Sequence, residues 1–265
     1  MNSTASTPGA TSPLHARDAP TGTGSTGTKI IGALAAASVL VALAYDLVIS
    51  PPDVNQGDAA RLLYLHVPSA IVAYVAFGIT ALSSVMVLWK RTEFWDLLAG
   101  AAAEIGVIFT ALCLLTGMLW GRPIWGVYWT WDARLTTTAL LLVLFLGYLA
   151  LRWMLAGTPN RARWCAVAGI IAALDVPIVH YSTTWWVTLH QQQTVRILGE
   201  SEIGGTMLLS LAVSMVASLL VFWWLLIHRF RVAYLFERTQ DVGLDVAIAQ
   251  RRAEADVVAP SGGSV

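Results

Sequence analysis

Six runs of predominantly apolar residues, each long enough to cross a hydrocarbon layer about 30 Å thick, dictate what this 265-residue chain can fold into. They lie at about 30–49, 67–89, 98–119, 135–156, 163–181 and 205–228. Inside such a layer no water satisfies a backbone N–H or C=O, so each run must be helical. The expected fold is an all-α integral membrane protein, a bundle of six transmembrane helices. A soluble alternative fails on composition: at 57% hydrophobic, 12% charged and a mean hydropathy of +0.66, a water-solvated domain would expose large apolar patches. Sixteen basic residues balance sixteen acidic ones. That leaves no field to hold nucleic acid.

Residues 1–28 are rich in Ser, Thr, Gly, Pro and Ala without apolar period, which predicts a disordered cytoplasmic tail. The first apolar run resembles a signal peptide, but it starts late and continues to Ile49, so it is expected to stay as an uncleaved span. The membrane domain is expected over 29–235, followed by a cytoplasmic C-terminal tail over 236–265. Asp175 and Pro177 within the fifth run predict a kinked segment packed inside the bundle. Cys113 and Cys165 fall in apolar runs without paired spacing and are expected to pack as small hydrophobes rather than bind zinc or exchange disulfides.

Basic residues set the orientation, because Lys and Arg are retained in the cytoplasm. Twelve of the sixteen fall on one side: Arg17, Lys29, Lys90, Arg91, Arg152, Arg161, Arg163, Arg229, Arg231, Arg238, Arg251 and Arg252. Only Arg61, Arg122, Arg134 and Arg196 fall on the other. Both termini are therefore expected in the cytoplasm, with outer loops at about 50–66, 120–134 and 182–204.

The second outer loop places Trp120, Trp125, Trp129, Trp131, Tyr128, Asp132, Arg122 and Arg134 within fifteen residues. An interfacial aromatic belt accounts for some of the chain's twelve Trp. It does not account for the clustering, since the inner-side residues Trp89, Trp95, Trp153, Trp164, Trp223 and Trp224 are scattered over several helix ends. Indole faces with guanidinium groups nearby suit a flat, polarisable ligand that carries carboxylates, and heme is such a ligand. His66, where the first outer loop enters the second span, and His190, in the third outer loop, lie on the same side. Two neutral imidazoles from separate elements can hold an iron from opposite faces.

His180, near the outer end of the fifth span, competes as a ligand; His15 and His228 lie too far away. Arg61, Arg122, Arg134 and Arg196 can each pair with a propionate, although a local Asp132–Arg134 bridge or lipid phosphate would also occupy them. Two other classes stay open. One is a bis-His membrane cytochrome of the b type in electron transfer. The other is a secondary transporter, prompted by Glu104, Asp175 and Pro177 within the spans. No P-loop or zinc-ligand spacing is present, and no Ser-His-Asp arrangement suggests a hydrolase.

The Trp-rich stretch with its closing Trp131-Asp132 resembles the WWD signature of a heme-handling family, most closely its cytochrome c maturation protein C (CcmC, heme exporter protein C) group. Six spans, one such loop between the third and fourth, one His before it and one after it in TLHQ, and a short total length all agree over residues 29–235. The family's larger heme lyases have more spans and further histidines. The resemblance implies a heme-presenting scaffold rather than an enzyme, a multi-pass subunit of an ABC-type complex in the bacterial inner membrane. It would bind heme b (iron protoporphyrin IX) at the periplasmic face and load it onto the membrane-anchored chaperone CcmE, with the ATPase CcmA, the permease CcmB and the small single-span CcmD as partners. It implies His66 and His190 as axial ligands, and Trp120, Trp125, Trp129, Trp131 and Asp132 as the platform. Arg61 and Arg134 stand at positions similar to the family's heme-contacting arginines, whereas Arg122 and Arg196 rest on charge alone. The two tails depart from the compact pattern without touching any of these residues.

Overall fold

The computed structural model describes residues 24–190 and 204–258. Its six apolar spans are Thr26–Ile49, Asp58–Lys90, Glu93–Trp125, Ala133–Met154, Arg161–Trp185 and Gly205–Gln240. Helix α1 (Thr26–Ala44) starts where the Ser25 hydroxyl accepts the Thr28 N–H at 3.3 Å, inside the stretch expected to be disordered, and ends in a π turn, Tyr45–Ile49. Residues 1–23 of that expected tail lie outside the described residues. A 3-10 turn, Asp58–Leu62, leads into α2 (Leu63–Lys90), so His66 belongs to the first turn of a helix.

Helix α3 (Glu93–Trp125) corrects the expected loop at 120–134. It stops at Gly126, whose φ of 78° only glycine adopts at little cost and whose N–H bonds the Arg122 carbonyl at 3.0 Å. Trp120, Arg122 and Trp125 are therefore helical, and the loop shrinks to 126–132 before α4 (Ala133–Met154). The helix continues through Pro123, which lies in its last turn.

The fifth span is broken into α5 (Arg161–Ala173) and α6 (Asp175–Trp185). Pro177 supplies the cause, since its ring would collide with the carbonyl four residues earlier, that of Ala173. The last helix, α7 (Gly205–Val258), continues past its span through most of the segment expected as the C-terminal tail over 236–265, of which 259–265 lie outside the described residues.

Small residues let α2 and α3 pack as the central pair. Val72, Ala73 and Ala76 of α2 meet Ala101, Ala102 and Ala103 of α3, all at most 3% exposed. Phe77 fills the space over Gly106 and stacks on Phe145 of α4 at 3.6 Å. Phe222 and Leu226 bring α7 to the other side of this core. Below the proline break, α5 packs on both α2 and α4; above it, α6 packs chiefly on α4. That divergence from α2 opens the interior at the end of the bundle carrying the Trp-rich loop. At the opposite end, Asp96, Arg152, Arg161 and Glu237 tie α3, α4, α5 and α7 together. Glu104 of α3 pairs with Arg229 of α7.

Candidate functional site

A cavity of about 880 Å³ occupies the opened end, bounded by α2, α3, α4, α6 and α7. Its lining is mostly aliphatic. The polar and aromatic exceptions are Gln56, His66, Tyr74, Thr110, Trp120, Trp125, Trp129, Arg134, Thr138, His180 and His190. An apolar enclosure with a few convergent polar groups is what a small-molecule site requires.

His66 projects from α2 onto α3, where its Nδ1 lies 2.9 Å from the Cys113 carbonyl and 3.2 Å from the Thr116 hydroxyl. A carbonyl can only accept, so Nδ1 carries the proton and donates it. Nε2 is then left with its lone pair, the tautomer a metal ligand needs. The His190 ring lies 6.3 Å from that of His66, tilted by 33°. Trp120 stands edge-on to His66 at 5.8 Å and donates from Nε1 to Gln56 Oε1 at 2.9 Å. Trp125 meets His190 at 6.4 Å and 61°. Among the described residues no group of three or more His, Cys, Asp or Glu could hold a metal by side chains alone. The histidine pair thus suits a metal that brings its own equatorial ligands.

Space for the His66 ring comes from Gly117, one turn beyond Cys113 on α3. A Cβ at this position would stand 2.9 Å from His66 Cε1. Gly117→Ala is expected to rotate the imidazole off its Cys113 acceptor and to weaken the binding of any metal taken up at Nε2 about 10-fold or more, the usual scale for losing an outer-shell orienting contact. Titration of the purified variant with hemin checks this, and wild-type affinity would show that the ring has room to move.

Asp132 serves two backbones at once. Its Oδ1 accepts the Leu135 N–H at 2.9 Å and caps α4, while Oδ2 accepts the Thr188 hydroxyl and the Leu189 N–H, the latter at 3.1 Å. Thr188 Oγ1 in turn accepts the His190 N–H at 3.0 Å. The acid next to the last Trp of the cluster therefore holds the segment that carries His190.

The other residues singled out in the sequence separate into two groups. Trp120, Trp125, Trp129, Arg134, His66 and His190 line the cavity, and Arg134 also donates to Thr183 Oγ1 at 3.4 Å. Trp131 stands outside, 82% exposed, edge-on to Trp129 at 5.5 Å. Arg61 pairs with Asp58 at 2.8 Å and donates to the Asp46 carbonyl, while Arg122 donates to the Gly126 carbonyl and lies 5.6 Å from the Tyr128 ring. Arg196 lies outside the described residues. Gln56, Tyr74 and Gly117 escape sequence reasoning, and only the i, i+4 spacing of Cys113 and Gly117 on an apolar helix hints that both face one neighbour.

A family model described as heme exporter protein C matches residues 20–243. The heme exporter protein C of Bradyrhizobium diazoefficiens is 41% identical over 197 residues, covering 73% of this chain and 74% of that one. Its counterpart in Haemophilus influenzae is 36% identical over 197 residues, 74% of this chain and 80% of the other. The Escherichia coli protein of the same name is 39% identical over 145 residues, 55% of this chain and 59% of its own.

Proposed function

Since the chain belongs to the heme exporter protein C family, we propose that it acts in heme export for cytochrome c biogenesis, binding heme in the cavity between His66 and His190. The observation that carries the reading is the spacing of the two imidazoles. Two metal–nitrogen bonds of about 2 Å on opposite sides of an iron, plus two ring half-widths, require roughly 6 Å between ring centres, and the two rings are 6.3 Å apart. The committed Nδ1 of His66 supports it further.

In this reading the indoles of Trp120, Trp125 and Trp129 flank a flat macrocycle, and Trp131 extends the aromatic surface beyond the cavity toward a docking partner. Arg134 is the guanidinium best situated for a propionate, since it lines the cavity. Arg61, Arg122 and Arg196 would serve the outer propionate or the partner. The histidine end of the bundle faces the periplasm from the bacterial inner membrane, and the cargo is heme b. The acceptor is the chaperone CcmE, one of whose residues takes the place of an axial histidine while the vinyl edge is attached. CcmA, CcmB and CcmD complete the complex and supply energy. The chain itself is a scaffold rather than an enzyme.

The test is the visible spectrum of the detergent-purified protein, with and without the co-expressed chaperone. A low-spin heme spectrum that is lost as heme moves to the chaperone is the expected result. Heme that stays bound after the chaperone is added, and cycles with quinone, would identify an electron-transfer cytochrome of the b type instead. No heme in a folded sample would overturn both readings.

A further inference from the structure

The cavity holds one imidazole more than a pair of axial ligands requires. Building on the proposed function, we propose that His180 is a second iron-ligating position, deeper in the same cavity, which holds heme through one imidazole before it passes to His66 and His190.

Its depth follows from helix geometry. Tyr74 lies eight residues beyond His66 on α2, about 12 Å further along the axis, and the His180 ring sits against Tyr74 at 6.2 Å. The lining continues to this level and past it: Thr110 lies fifteen residues before Trp125 on α3, about 22 Å by helical rise. A planar ligand gripped between His66 and His190 leaves that lower part of the cavity unused.

The His180 ring is oriented but its nitrogens are uncommitted. Tyr74 and Tyr181 hold it edge-on, at interplanar angles of 73° and 89°, and it makes no hydrogen bond to any described residue. An ionisable ring within a membrane span and without a polar partner is costly unless a ligand uses it. The surroundings also suit an apolar ligand, for Ile71, one turn from Tyr74, lines the same cavity.

The transfer is a ligand exchange. The iron–nitrogen bond to His180 breaks as a bond to His66 or His190 forms. Each imidazole donates and recovers its own lone pair, so iron keeps its oxidation state and no proton moves.

The test uses the full chain in lipid nanodiscs and hemin as the probe. With His66→Ala and His190→Ala combined, added hemin is expected to give a five-coordinate, high-spin spectrum rather than none. Adding His180→Cys to that pair should convert the spectrum to that of thiolate-ligated iron, a change that altered packing cannot produce. In the otherwise unaltered chain, His180→Ala should slow the filling of the low-spin site at least fivefold. Loss of all binding in the double variant while the wild-type chain binds hemin, or a spectrum indifferent to His180→Cys, overturns this inference and leaves the proposed function intact. Failure of the wild-type chain to bind hemin overturns both.

Discussion

Replacing His66 with alanine is expected to cut the heme retained by the purified chain about tenfold or more, no less than the loss of an outer-shell contact at a metal site costs, and to abolish its low-spin spectrum. His190→Ala should also abolish the low-spin spectrum but retain more heme. The difference lies in how each ring is mounted. His66 sits in the first turn of α2 with Nδ1 fixed by the Cys113 carbonyl at 2.9 Å, so its Nε2 is preorganised before any ligand arrives. His190 follows the end of α6 on a non-helical segment, and its backbone is steadied through Thr188 and Asp132. Removing the loop ligand leaves the rigid one to hold heme five-coordinate, in a spectrum that added imidazole should restore. Asp132→Ala should follow His190→Ala rather than His66→Ala, with a further loss of about 1 kcal/mol from the uncapped helix. Pyridine hemochrome quantification against protein, together with the visible spectra, checks all three variants. Heme retention in His66→Ala equal to wild type would remove His66 from the site.

Much of this geometry could be read from residue order, and the exceptions have identifiable causes. Hydropathy and length placed the six spans, since lipid leaves the backbone no alternative to a helix. The break in the fifth span, at Leu174, directly follows the Ala173 carbonyl that the Pro177 ring would strike. The extent of α3 was not legible because Gly121 and Pro123 look like a helix stop, whereas the residue that ends the helix is Gly126. Those few residues turn part of an expected surface loop into cavity wall. The environment of Cys113 was foreseeable as packing, but the use of its carbonyl by His66 was not, because every residue has a carbonyl and only the fold selects one. Charge counting likewise singled out four outer arginines without separating Arg134, which lines the cavity, from Arg61 and Arg122, which bond their own loops and caps.

Asp96→Ala is expected to be the most destabilising substitution away from the cavity. Asp96 is 4% exposed, and its carboxylate takes two bonds from Arg152, at 2.7 and 3.1 Å, and one from Arg161 at 2.9 Å. Arg161 also reaches Glu237 at 2.7 Å, and Arg152 donates to the Tyr148 hydroxyl at 3.3 Å. Gly100 leaves the room this needs, for a Cβ there would stand 2.8 Å from Arg152 Nε. Removing the shared carboxylate strands Arg152 without its counter-ion and leaves Arg161 with Glu237 alone. Breaking a buried pair in this way costs about 3–5 kcal/mol, enough to consume much of a marginal stability. The attraction itself is offset by desolvation of the charges, so the double replacement Asp96→Leu with Arg152→Met should recover most of the loss. Thermal unfolding in detergent gives the comparison: a large drop in Tm for Asp96→Ala, and a Tm near wild type for the double variant. Because this network lies at the end of the bundle opposite the histidines, heme bound by the folded fraction of Asp96→Ala should keep its wild-type spectrum. A spectrum that shifted with Asp96→Ala would mean that the two ends of the bundle are coupled through α3 and α4.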